Sequence, residues 1–186
     1  MSDLHATDTP SAWVARWIGQ APAGEVLDLA CGRGRHARLA AGAGHPVLAL
    51  DRDAAALAEA AGPGIVTQCA DLEGEGAVWP FAPGRFAAVI VTNYLHRPLF
   101  GDLAAALAPG GLLIYETFAL GNEAFGKPSN PAFLLAPGEL LDRVRAHGLQ
   151  VLAYEDGIVT AGRTARVQRI VAAASGIDLS RIRLDL

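Results

Sequence analysis

The chain predicts a single three-layer α/β/α domain built on a mostly parallel sheet, and three observations carry that expectation. Strand-like and helix-like stretches alternate from residue 24 to about 148, the pattern of parallel strands joined by helical crossovers. The first strand, Val26-Leu27-Asp28-Leu29, breaks into Ala30-Cys31-Gly32-Arg33-Gly34 before a helical stretch. Glycine has no Cβ, so the backbone there can approach a ligand closely. A second strand, Pro46 to Leu50, ends on Asp51. A carboxylate at that place suits a ribose diol, whose two hydroxyls can both donate to it.

The elements follow in order. Ser11 is placed to cap a short helix, about 10–20, in which Trp13, Val14, Trp17 and Ile18 fall on one face. That helix either covers the core or closes over a ligand. Strand one spans about 25–30, and its helix, about 35–42, ends at Gly42 and Gly44. Strand two is 46–51; Asp53 then caps an alanine-rich helix over 54–61, stopped by Gly62-Pro63. Strand three covers 64–69. Strand four, 86–91, is a continuous apolar run, as a buried parallel strand should be. A helix over 99–108 stops at Pro109-Gly110-Gly111, and strand five is 112–117. Residues 118–136 carry no sustained period; an irregular segment of that length is usually functional or disordered. Phe118, Phe125, Phe133, Leu134 and Leu135 favour a packed segment, read as a substrate lid. Pro137-Gly138-Glu139 opens a helix to His147, and two strands, about 149–155 and 166–173, follow. Residues 177–186 are either a partner-facing tail or a frayed end.

Two ligands fit the glycines. Gly32-Arg33-Gly34-Arg35-His36-Ala37 satisfies the G-x-G-x-x-G/A dinucleotide pattern, with Asp51 about 20 residues on. The segment resembles more closely the D/E-x-G-x-G-x-G loop of class I S-adenosylmethionine (SAM) methyltransferases. In that alignment Asp28 is the acid, and Ala30, Gly32 and Gly34 are the three small positions. Ala30 stands where the family has its first glycine, a change expected to remove little room. Asp28 separates the two ligands. A carboxylate beside a helix N-terminus repels a pyrophosphate, whereas the ammonium and sulfonium of SAM favour it. A phosphate-binding or purely structural glycine turn is the remaining reading.

The resemblance extends over nearly the whole chain. Asp71-Leu72 resembles the family's acidic position beside the adenine amino group, and Pro109-Gly110-Gly111-Leu112-Leu113 its PGG turn before strand five. Within the superfamily the chain is similar to small bacterial tellurite-resistance-type methyltransferases, through the opening L-D-x-x-C-G-x-G-R and the stretch NPAFLLAPGELL before the last helix. The resemblance implies a Rossmann-like methyltransferase fold of seven strands, the last one antiparallel. It also implies SAM as methyl donor, with S-adenosylhomocysteine (SAH) as product. Asp28, Ala30, Gly32, Gly34, Asp51, Asp71, Leu72 and Asn93 would then hold the cofactor, with Asp51 on the ribose. Arg35 either meets the methionine carboxylate or is solvated; Arg52 either flanks the adenine or is exposed.

In this superfamily the loop after strand four faces the transferred methyl. Here it reads Thr92-Asn93-Tyr94-Leu95-His96-Arg97-Pro98. Asn93 and Tyr94 keep the first residue and the aromatic of the amino-directed N/D-P-P-F/Y motif but not its prolines, which argues against a base or glutamine nitrogen as acceptor. Asn93, Tyr94 and His96 are the candidate catalytic residues, with His96 either a general base or a structural loop histidine. Tyr94 either packs on the cofactor or lines the core. Arg97 either holds an anionic substrate or begins the helix. Glu116 either meets a cationic acceptor or pairs with Arg97 or Lys127. Methyl transfer is an in-line displacement on an activated donor, so positioning dominates and no triad is required.

Composition narrows the partners. The chain has 186 residues, 52% apolar and 18% charged, with a net charge of −4. Lys127 is the sole lysine, and no basic stripe with interleaved aromatics suits a nucleic acid. No apolar run reaches the roughly 20 residues of a membrane span, and the polar N-terminus is not a secretory signal. Cys31 and Cys69 lack metal or disulfide spacing, which points to the cytosol. The expected function is SAM-dependent methylation of a small molecule. RNA or protein methylation and non-catalytic SAM sensing are the alternatives.

Overall fold

The computed structural model describes residues 9–184. The polar start of the chain therefore falls largely outside the described residues, as do the last two positions of the 177–186 tail. Seven strands form one sheet: β1 (Val26–Leu29), β2 (Val47–Asp51), β3 (Ile65–Cys69), β4 (Phe86–Thr92), β5 (Leu107–Phe118), β6 (Gln150–Val159) and β7 (Ala165–Ala173). Their order is β3-β2-β1-β4-β5-β7-β6, with β7 antiparallel to both neighbours. This is the expected α/β/α architecture with its last strand reversed. Every residue of β1 and β4 is buried, because the two strands lie at the centre of the sheet with both faces covered.

Alternation along the strands sorts side chains into two cores. Leu27, Leu29, Val89, Val91, Leu113 and Tyr115 face α4 (Phe100–Ala106) and α5 (Glu139–Ala146). Val26, Ala88, Ile90, Leu112 and Ile114 face α1 (Ala12–Ile18), α2 (Arg35–Gly42) and α3 (Ala54–Ala60). The N-terminal helix thus covers the core. The Ser11 side chain accepts from the Trp13 N–H, and Trp13, Val14, Trp17 and Ile18 are all buried. Burying each such large apolar side chain contributes about 1.5–3 kcal/mol, which holds so short a helix in place.

Two features depart from simple alternation. Residues 70–85 cross from β3 to β4 without a helix. Gly74, Gly76, Pro80 and Pro83 deny them helical propensity, and an edge-to-face chain of Trp79, Phe81 and Phe86 fills the layer instead. The second departure corrects the expected end of α4 and start of β5. The helix stops at Ala106 and the strand begins at Leu107, not 112. Pairing with β4 jumps from Phe86↔Leu107 to Ala88↔Leu112, so Pro109-Gly110-Gly111 is a bulge inside the strand. A Cβ at Gly111 would lie 2.8 Å from the Phe86 carbonyl oxygen, which explains the second glycine.

Candidate active site

The carboxyl ends of β1, β2, β4 and β5 open onto a cavity of about 530 Å³. That lies within the roughly 300–1,000 Å³ of small-molecule sites, at the sheet edge where α/β domains bind ligands. Ala30, Asp51, Arg52, Asp71, Leu72, Asn93 and Tyr94 all line it. Parallel pairing places the ends of these strands side by side, and so gathers residues far apart in sequence.

The glycine loop is shaped by left-handed backbone. Gly34 (φ +77°) could carry no side chain, since a Cβ would meet Ala60 Cβ at 2.6 Å. Gly32 (φ +54°) is different: a Cβ there would meet nothing within 4 Å, leaving a bare backbone face. Its N–H donates to Asp51 Oδ2 at 2.8 Å, while Asp51 Oδ1 accepts from the Asp53 N–H at 2.9 Å. Each carboxylate oxygen keeps a further lone pair for a hydroxyl. Ala30 has φ +54°, a conformation that costs a non-glycine residue about 1–2 kcal/mol. The expected harmless replacement is therefore a strained one. Room was the wrong criterion there; backbone conformation is what the missing glycine would have eased.

Asp28 is 1% exposed and does not line the cavity. It shares its sheet face with Val26 and so points under α2, where the Ala37 backbone hydrogen-bonds to it. Burial lifts its pKa to about 7, against lesser lowering by that hydrogen bond and by Arg35. Its Oδ2 is buried without a hydrogen-bond partner. The residues that do face the cavity fit SAM, since the acids Asp51, Asp71 and Glu73 outnumber the base Arg52 on its wall and favour a cationic cofactor over a pyrophosphate. Arg35, at the first turn of α2, reaches the Thr9 carbonyl at 3.4 Å and does not line the cavity.

The sequence reading missed His36. It is buried beneath the loop, where Nε2 accepts from the Ser11 N–H at 3.0 Å and Nδ1 lies 3.3 Å from Thr92 Oγ1. Accepting at Nε2 leaves the proton on Nδ1. Burial pushes its pKa down to about 3, so it ties α1, α2 and β4 together as a neutral ring.

Across the cavity, Asn93 also adopts left-handed backbone (φ +55°), which asparagine tolerates. Its N–H donates to the Glu116 carbonyl at 2.9 Å, and the Tyr115 hydroxyl donates to the Tyr94 carbonyl at 2.8 Å. The Tyr94 hydroxyl hydrogen-bonds to Glu73, and burial together with that carboxylate pushes the phenol's pKa up. Glu73, also missed, lines the cavity and lies 3.9 Å from His96 Nδ1. His96 itself is not part of the cavity wall, because the chain turns away at 97–99. A useful signal for Glu73 was its position two residues beyond Asp71, whose Oδ1 accepts from the Glu73 N–H.

Residues 118–136 supply Phe118, Pro128 and Phe133 to the wall. The segment is anchored by side chains. Arg97 donates to the Ala132 and Leu134 carbonyls at 2.7 and 2.9 Å and grips both oxygens of Glu139. Arg97 is thus committed to structure. Arg97 and Arg143 hold the Glu139 pKa down to about 2. Asn122, 1% exposed, donates to the Pro128 carbonyl and accepts from the Arg166 N–H. Gln168 donates to the Ala136 carbonyl at 2.7 Å. Glu116 pairs with Arg169 at 3.5 Å, neither Arg97 nor Lys127 being its partner.

The sequence pattern of a methyltransferase-domain family matches residues 26–111. Among solved structures, the chain is similar to an S-adenosylmethionine-dependent methyltransferase from Mesorhizobium loti (21% identity, TM-score 0.66, covering 86% of this chain and 98% of that one). It is also similar to TehB from Haemophilus influenzae (16% identity, TM-score 0.71, covering 89% of this chain and 63% of that one). At these identities the structural likeness is one of fold. None of the curated proteins matches the chain in sequence.

Proposed function

We propose that this chain, whose residues 26–111 match a methyltransferase-domain family, transfers the methyl group of SAM to a small-molecule acceptor, releasing SAH. The observation that carries the acceptor class is the apolar lining of the cavity beside its polar residues. Phe118, Pro128 and Phe133 stand over the same space as Asp51 and Asn93, which favours a small acceptor over a strand of RNA or a folded protein. The net charge of −4 supports that reading, since RNA affinity rests on phosphate neutralisation. Among the described residues no helix is long and apolar enough to cross a membrane. Two unpaired cysteines accord with a cytosolic setting.

When bound, SAM supplies an electrophilic methyl on a sulfonium. The geometry of the cavity supports the following roles. Asp51 accepts from the ribose hydroxyls. Asp71, Leu72 and Arg52 flank the adenine, Ala30 lines the same wall, Gly32 presents bare backbone to the cofactor, and Gly34 lets the loop pack on Ala60. Asp28, its carboxyl lifted to about 7 by burial, sets a partial negative charge beneath that loop, with Arg35 at its edge. Asn93 and Tyr94 orient the acceptor. Glu73, with His96 behind it, is the group placed to take a proton, and His96 acts as a positioning residue. Residues 118–136 form the lid that excludes water from the reacting atoms.

Calorimetry against SAM, SAH and NAD tests the cofactor, with Asp51→Ala expected to weaken SAH about 100-fold, as loss of charge-assisted hydrogen bonds would. Tight NAD binding without SAM binding would sink the cofactor assignment. SAH release from metabolite extracts, separated by size, tests the acceptor. Turnover confined to the RNA or protein fraction would overturn the small-molecule reading.

A further inference from the structure

A second, more open cavity of about 520 Å³ adjoins the first and shares Asn93, Phe118, Pro128 and Phe133 with it. Its outer wall carries Lys127 and Arg163. Arg163 Nη2 donates to the Lys127 carbonyl at 2.5 Å, which fixes the guanidinium beside the chain's sole lysine and leaves its other N–H groups available. Among the described residues no carboxylate pairs with either cation. The nearby acids are engaged elsewhere: Glu123 accepts from the Gly121 N–H, Asp156 pairs with Arg166, and Glu116 with Arg169. Asp51, Asp71 and Glu73 line only the inner cavity. Charge therefore changes sign along one continuous passage, acidic inside and basic at the mouth. Phe133, 51% exposed, and Phe118 lie between the two ends.

We propose that the outer cavity is the acceptor subsite, built for a molecule with an apolar body and an oxyanion, either carboxylate or phosphate. Lys127 and Arg163 hold the oxyanion, a task suited to a guanidinium fork beside a point charge. The body lies on Phe118 and Phe133, which directs the far end of the molecule to Asn93. The assignment rests on the inner cavity being the SAM site. A bare inorganic oxyanion would leave the aromatic wall uncovered.

The test uses SAH-saturated protein and four probes of similar size: benzoate, phenyl phosphate, benzyl alcohol and benzylamine. At least one anion should bind roughly tenfold more tightly than the neutral and cationic probes, as a charge-assisted pair would give. Which anion wins separates carboxylate from phosphate. Lys127→Gln keeps the carbonyl that Arg163 grips, and Arg163→Gln removes the fork; each should weaken the preferred anion by roughly fivefold or more. SAH affinity should not change in Lys127→Gln. Equal affinity for all four probes, or anion binding indifferent to both substitutions, overturns the proposal. If SAH itself fails to bind, the methyltransferase reading falls, and the same titration on ligand-free protein still decides whether the outer cavity prefers anions.

Discussion

On the β1–β3 side the cavity wall is made of strand ends, and on the opposite side of the loop after β4 together with Phe118, Pro128 and Phe133 from residues 118–136. The first wall owes its shape to backbone: left-handed Ala30, Gly32 and Gly34, and N–H groups bonded to Asp51. The second is held by a few side chains reaching across long sequence separations, Arg97 to Glu139, Asn122 to Arg166 and Gln168 to Ala136. A wall of backbone is sensitive to added atoms, and a wall hung on side chains is sensitive to deleted ones. The difference accords with the proposed roles of the two sides, cofactor on one and acceptor on the other.

The largest expected effect is on the backbone wall. Gly34→Ala combines contact with Ala60 at 2.6 Å and φ +77°, and should cost about 3 kcal/mol from overpacking and left-handed strain. Chemical denaturation would show it, together with weakened SAH binding. An unchanged midpoint would mean that α3 gives way freely.

Arg97→Ala attacks the other wall. It removes four hydrogen bonds, two of them to Glu139, for a loss of about 2 kcal/mol. Acceptor KM should rise while SAH affinity holds. Equal losses on both measures would show that the two walls behave as one unit.

Beneath the backbone wall, two buried groups titrate in opposition. Burial lifts Asp28 from 3.8 to about 7, so its contribution to stability is full below about pH 4 and is lost as pH rises through 7. His36 is pushed from 6.5 to about 3, so its contribution is full above 6.5 and is lost as pH falls through 3. The two slopes offset each other between about pH 4 and 6.5. Asp28→Asn leaves only the histidine, and stability should then fall on acidification by about 1.4 kcal/mol per pH unit. A variant with a flat profile would mean that His36 gains its proton without disturbing the fold.

The smallest effect is a gain. Ala30→Gly relieves φ +54° but adds freedom to the unfolded chain, for a net stabilisation of about 0.5 kcal/mol. A lowered Tm would mean that the methyl group packs usefully.

Much of the backbone wall was legible because its signals are local. Gly32, Gly34 and Asp51 carry their conformational and chemical meaning within a few residues of a strand end, and buried strands announce themselves as apolar runs. Asp28 was read as the discriminating charge, but its place under α2, away from the cavity wall, depended on which sheet face it shares. Glu73 and His36 escaped notice because nothing periodic surrounds the one and an ordinary helical turn contains the other. Arg97, read as an anion holder or a helix start, does open the helical turn at 97–99, and it also straps residues 118–136. Its partner Glu139 lies 42 positions away, beyond the reach of any local pattern.

The sequence by itself determined the alternating fold and the glycine loop at the end of its first strand, and led to the expectation of a cationic cofactor, since each depends on propensity, spacing or charge within a short stretch. Tertiary structure alone decided that Asp28 is buried and partly unsatisfied, that Ala30 is strained, and that Lys127 and Arg163 meet at the mouth of one passage. Those facts depend on burial and on long-range contact, which exist only once the strands have paired.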